Sequence, residues 1–253
     1  MNTRLKKQLL YLSPLLLILG IGIIVGASFL FRHEPTCFDG IKNQGEEDVD
    51  CGGPCELQCY LRGIQDIRLD SEIRAFYLAK DASAVLARIQ NPNAAVAAPH
   101  FAYTLSIYDR AGSIVRRVTG DSFIYAGEVK YLFVPRVPIA ANYVSKVDFH
   151  VDKVEWAPQE EFPRPAVEVK QFRTTKDARG TWVDGELVSE DVKTIAEIQV
   201  LAIFRGKFGQ RTGASFTVVK NLAPRETRRF RIYYPVAGDI DEGATEVILA
   251  PLY

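Results

Sequence analysis

The sequence predicts a mainly β protein with an N-terminal transmembrane helix, a short disulfide-rich stalk and two tandem immunoglobulin-like β-sandwiches. Three observations carry this prediction. An apolar run at residues 9–31 is long enough to cross a bilayer, and all four cysteines fall between Cys37 and Cys59. From Ile64 onward, short alternating strands recur with turn residues between them. The expected organisation is a cytoplasmic tail (1–8), the helix (9–31), the cysteine-rich stalk (32–62), a first sandwich (63–157), a proline-rich linker (158–166) and a second sandwich (167–253).

The run LLYLSPLLLILGIGIIVGASFLF has Tyr11 as its one ionisable residue. At about 1.5 Å per residue it covers the ~30 Å hydrocarbon core. Pro14 falls in its first turns, where a missing N–H does least harm. Arg4, Lys6 and Lys7 precede the run, so the N-terminus is read as cytoplasmic and the bulk of the chain as extracytoplasmic at the cell membrane. A signal peptide cleaved near Val25-Gly26-Ala27 is the alternative, for which the run is long.

The segment Thr36–Tyr60 holds Cys37, Cys51, Cys55 and Cys59 among acids and amides, with too few apolar residues to build a core. Outside the cytosol such spacing indicates two disulfides, and four cysteines allow three pairings that sequence does not separate. Gly52-Gly53-Pro54 supplies a tight turn between Cys51 and Cys55. Zinc held by the same thiols is a competing reading, although the spacing is not a standard knuckle. A third reading uses oxygen. Asp39, Asn43, Glu46 and Asp50 recur every three to four residues and could hold calcium, which takes about six to eight oxygen ligands. The pattern lacks the alternating ligands of an EF-hand, and its plain alternative is a solvated acidic loop.

C-x-D-G-I-x-N-x-x-E-x-x-x-D-C-G-G-x-C, from Cys37 to Cys55, resembles a short cysteine-rich module of bacterial and archaeal surface proteins. The resemblance implies a surface address and no chemistry.

Strands are expected at Val85–Gln90, Phe101–Tyr108, Val129–Val134 and Val147–Val154, separated by turn chemistry such as Asn91-Pro92-Asn93 and Asp109-Arg110-Ala111-Gly112. The unit then repeats at an offset of about 96–98 residues, the size of one sandwich. Leu105-Ser-Ile-Tyr108 is answered by Leu201-Ala-Ile-Phe204, and Ala87–Asn91 by Gly185–Ser189. Ala157–Pro165 carries three prolines and reads as a stiff connector that holds the two copies to a limited range of angles. The Leu-x-Ile-Tyr-Asp pattern before a glycine turn, with Gly-Glu before the next strand, is similar to the FxLYD domain and to late-embryogenesis-abundant type 2 sandwiches. The second copy departs from it, with Phe204-Arg205 in place of Tyr-Asp. The whole arrangement resembles membrane-anchored bacterial envelope proteins, which implies an extracytoplasmic β-sandwich; it does not imply an enzyme.

Formal net charge is zero, but residues 1–32 are purely basic, leaving the remainder at about −4. That balance argues against a nucleic-acid surface. The three histidines, His33, His100 and His150, have no recognisable nucleophile or carboxylate context, and neither G-x-S-x-G nor a phosphate loop occurs. No catalytic residues and no resident cofactor other than the candidate calcium are expected. Asp109 and Glu128 read as turn residues rather than paired acids. Arg229 and Arg231 share a strand face, and Arg205, Lys207 and Arg211 in the preceding hairpin could extend it into a patch for an acidic partner. Trp156 and Trp182 are placed near the junction between copies, where a groove is natural. The expected function is therefore non-enzymatic: a membrane-anchored scaffold or binder of an extracytoplasmic protein or of itself, with a calcium-dependent adhesin as the alternative.

Overall fold

The computed structural model describes residues 3–30 and 36–253, without the side chains of 3–11, 15, 28–30 and 71–73. The chain divides into two compact units, Met1–Arg62 and Gly63–Tyr253.

In the first unit, helix α1 spans Thr3–Leu30. Because α1 begins at Thr3, Pro14 lies in its interior rather than in a first turn, and its lost N–H leaves a gap in the ladder there. Leu12, Leu16, Ile18, Ile21, Ile24 and Val25 are all exposed, which is an apolar surface on every side of the helix. The expected span, residues 9–31, lies partly outside the described residues, and among those described no helix is long and apolar enough to cross a membrane.

The second unit is built of strands. The first half holds β1 (Arg68–Ala79), β2 (Ala82–Gln90), β3 (Val96–Asp109), β4 (Ile114–Ile124), β5 (Val129–Val137) and β6 (Val144–Pro158). The second holds β7 (Val167–Asp177), β8 (Gly180–Ser189), β9 (Ile195–Arg205), β10 (Arg211–Leu222), β11 (Thr227–Tyr234) and β12 (Glu246–Leu252). They form four antiparallel three-stranded sheets, β1-β2-β5 and β4-β3-β6, then β7-β8-β11 and β10-β9-β12. Strand order is therefore the same in both halves, as the internal repeat requires.

Each half closes its own core. Val85, Ala87 and Ile89 of β2 meet Phe101, Leu105 and Ile107 of β3 in the first. In the second, Val183 and Leu187 of β8 meet Val200, Ala202 and Phe204 of β9. A third cluster joins the halves: Phe76 and Leu86 pack with Leu201, Ile203 and Ala214. Strands β2 and β9 are thus buried on both faces, odd positions of β2 toward one core and Leu86 toward another. A strand covered on both sides reads as a continuous apolar run rather than an alternation, and Val200-Leu-Ala-Ile-Phe204 is such a run.

The connector between halves does not stand free. Phe162 stacks on Tyr125 with centroids 4.9 Å apart, and Arg164 donates to Glu128 and to the Leu249 carbonyl at 2.9 Å. Tyr125 Oη donates to the Pro251 carbonyl at 2.8 Å, and Tyr234 Oη to the Tyr77 carbonyl at 2.9 Å. Both tyrosines resist ionisation because they are buried, Tyr234 being pushed up to about 12.

Asn91 is fully buried, and its amide donates to the Val96 and Tyr125 carbonyls. At the equivalent place in the second half stands Ser189, whose buried hydroxyl has no partner. Gly185 is required by packing: a Cβ there would lie 2.5 Å from the Phe230 ring.

Asp191 secures the opening of the second half. Its carboxylate accepts from the Ala166, Val192 and Lys193 amides and from Tyr253 Oη at 2.5 Å. These donors, the tyrosine first, hold its pKa down at about 2. A depressed carboxylate stabilises the fold above its unfolded value near 3.9, and that contribution fades as pH falls toward 2. Asp191→Asn is accordingly expected to lower the melting temperature at pH 7 and to converge with the parent near pH 2, which thermal unfolding at several pH values would read.

Candidate functional site

The cysteine module is held by two interlocked bridges, Cys37–Cys55 and Cys51–Cys59. The Gly52-Gly53 turn therefore leads Cys51 and Cys55 into different bridges. Both glycines have positive φ, and a Cβ on Gly53 would lie 2.3 Å from the Gly45 carbonyl oxygen. With no free cysteine, the sulfurs offer no thiolate to zinc.

The acids of the module act on its backbone. Asp50 accepts from the Gly40 amide with both oxygens, Glu46 from the Asn43 and Asp50 amides, and Asp39 from Thr36, Ile41 and the Asn43 side chain. Glu46 is buried, with Oε1 3.3 Å from the bridged sulfur of Cys55. Among the described residues, Cys37, Glu46 and Cys55 are the one set of three potential ligand atoms within 4.8 Å of one another; Asp39, Glu46 and Asp50 do not converge in this way. Asn43 Oδ1 is buried without a hydrogen-bond partner.

The five basic residues of the expected patch divide between two sheets. Arg229 and Arg231 lie on β11 and are neutralised across the strand pair by Glu186 and Asp184 of β8, at 3.3 and 2.5 Å. Arg231 also stands over Trp182, which packs on Tyr233 at 4.3 Å. On the other sheet, Arg205 of β9 pairs with Glu246, and Arg211 of β10 reaches Tyr131 Oη at 3.3 Å. Lys207 is exposed at the hairpin tip beside the exposed Phe208.

A cleft of about 400 Å³ opens where the two halves meet, lined by β3, β4 and β5 on one side and by Glu197, Gln199, Ala250 and Leu252 on the other. At its rim His100 Nε2 lies 3.1 Å from Asp121, while Nδ1 is 3.6 Å from Glu155. Burial, then the Asp121 charge, pushes the Tyr103 hydroxyl up. The cleft also contains Lys130, which is only 6% exposed. Its Nζ donates to the Phe123 carbonyl at 2.8 Å and stands 3.3 Å from the Phe123 ring centroid. Burial drives its pKa down to about 8, Glu128 opposing and Arg164 assisting.

The chain matches no family model and no curated protein. The groove expected at the junction was placed near Trp156 and Trp182, neither of which lines this cleft, and Tyr103, Asp121, Lys130 and Glu197 were not anticipated. A signal for Lys130 existed: it shares strand parity with the buried Leu132 and Val134, a lysine on the apolar side of an alternation. Of the other sites, His33 lies outside the described residues, and His150 pairs with Asp152 at 3.3 Å. Asp109 accepts from the Ala111 and Ser113 amides as a turn residue. Glu128 accepts from the Tyr125 amide and also from Arg164 of the connector.

Proposed function

We propose that this chain is a non-enzymatic, single-pass membrane protein of the cell envelope whose extracytoplasmic part, two tandem immunoglobulin-like sandwiches on a disulfide-linked stalk, scaffolds or binds another protein or a second copy of itself. The observation that carries the reading is the pair of interlocked bridges in a segment too poor in apolar residues to order itself. Such bridges persist in oxidising compartments and not in the cytosol. The apolar run Leu9–Phe31 in the sequence, and a helix exposing apolar side chains on every side, support the anchor. The resemblance to FxLYD-type envelope proteins agrees with the repeated strand order.

A calcium-dependent binder is the second reading, favoured by the unpartnered Asn43 Oδ1 beside Asp39. Cross-linking and co-purification of the full chain from native membranes, with calcium and with chelator, separates the two. An extracytoplasmic partner, or the chain itself, retained in chelator is the expected result. A partner lost with chelator transfers the function to the cysteine module, and partners confined to the cytoplasm overturn both readings.

A further inference from the structure

Lys130 carries the inference. Among the described residues it has one hydrogen-bond acceptor, the Phe123 carbonyl, and no carboxylate within ion-pair distance. The Phe123 ring and carbonyl offset part of its desolvation, but a buried ammonium without a carboxylate counter-ion still costs free energy. Apart from the Phe123 carbonyl and the Phe123 ring, no further partner of the ammonium occurs among the described residues. The group is not sealed in a core, since Lys130 lines the junction cleft. The cleft's volume of about 400 Å³ falls in the ~300–1,000 Å³ range of small-molecule sites. The lining is mixed: Phe123, Leu132, Ala250 and Leu252 contribute apolar surface, and His100, Tyr103 and Gln199 polar groups. Asp121 and Glu197 at the rim disfavour a doubly charged anion such as phosphate.

We propose that the junction cleft binds a small amphipathic monocarboxylate, its carboxylate on Lys130 Nζ and its apolar body against Leu132 and Leu252. The site does not depend on where the chain resides or on which protein it scaffolds. A bound carboxylate supplies the missing counter-ion and holds the lysine protonated. Binding therefore takes up a proton above pH 8 and weakens as pH rises further. Glu128 and Arg164 act on that titration in opposite directions. His100, Tyr103 and Asp121 from β3 and β4, and Glu197 from β9, also line the cleft that the lysine faces.

The test is calorimetry on the full chain in detergent with hexanoate and benzoate as probes, and with hexanol and inorganic phosphate as controls. Both carboxylates are expected to bind, hexanol and phosphate not, and affinity to fall several-fold from pH 8 to pH 9. Lys130→Met is expected to weaken binding by about tenfold or more. The same substitution is expected to raise the melting temperature at pH 7, because a buried charge with no carboxylate partner is replaced by an apolar side chain of similar length. That rise shows the variant is folded. Absence of binding by both carboxylates, equal binding by hexanol, or unchanged binding in folded Lys130→Met overturns the proposal. So does carboxylate binding to the parent chain that is unchanged between pH 7 and pH 10.

Discussion

Truncating either Ile203 or its neighbour Phe204 to alanine is expected to be severely destabilising, by about 2–5 kcal/mol for the isoleucine and about 3–5 kcal/mol for the phenylalanine. Adjacent residues in a strand point to opposite faces, so a strand with one wet face tolerates one of any such pair. Here both side chains are fully buried, Ile203 in the cluster that joins the halves and Phe204 in the core of the second half. Phe204 also stacks on Tyr234 with centroids 5.1 Å apart, and Tyr234 in turn bonds the first half through Tyr77. Val192, which is 81% exposed, provides the control, and its truncation should change stability by no more than about 0.5 kcal/mol. Denaturant unfolding of the three variants reads this directly. A neutral Ile203→Ala would mean that the halves do not share a core.

Replacing Cys37 and Cys55 together by serine is expected to remove about 2–4 kcal/mol from the cysteine module and leave the sheets intact. The bridge closes a sequence separation of 18 residues, and in the chain-entropy view its main effect is to restrict the unfolded segment. Little else orders that segment: its carboxylates cap its own amides, and its buried residues are few, among them Glu46, Cys51 and Cys55. The sheets contain no cysteine, so their transition should be unmoved. Limited proteolysis should show rapid cleavage within 36–62, while the main thermal transition stays within a degree or so of the parent. Loss of that main transition would contradict the division at Arg62–Gly63.

Strand positions and the repeat were legible because alternation and turn residues are local properties. The Leu105–Tyr108 segment and its answer Leu201–Phe204 do fall on equivalent strands, β3 and β9. The stacking of the halves was less legible, although its trace is present in the unbroken apolar run of β9. The proline-rich connector reads as a stiff spacer that limits the angle between copies, and Phe162 and Arg164 within it anchor it to Tyr125 and Glu128. The disulfide pairing depends on how a loop with positive φ at Gln44, Asp50, Gly52 and Gly53 folds back on itself, which spacing does not encode. The arginines were found, but their neutralisation was not, because Arg229–Glu186 and Arg231–Asp184 pair across strands more than forty residues apart. Lys130 was passed over for the opposite reason. Its strand was recognised, and the parity that places it inside was not followed through.

The most direct test of the account is thiol labelling of carbonate-washed native membranes with a mass-adding maleimide, before and after reduction. The chain is expected to stay with the membrane pellet until detergent is added, with no cysteine reacting before reduction and all four reacting after it. Four thiols free before reduction, or a chain recovered in the carbonate supernatant, would contradict the anchored, extracytoplasmic reading.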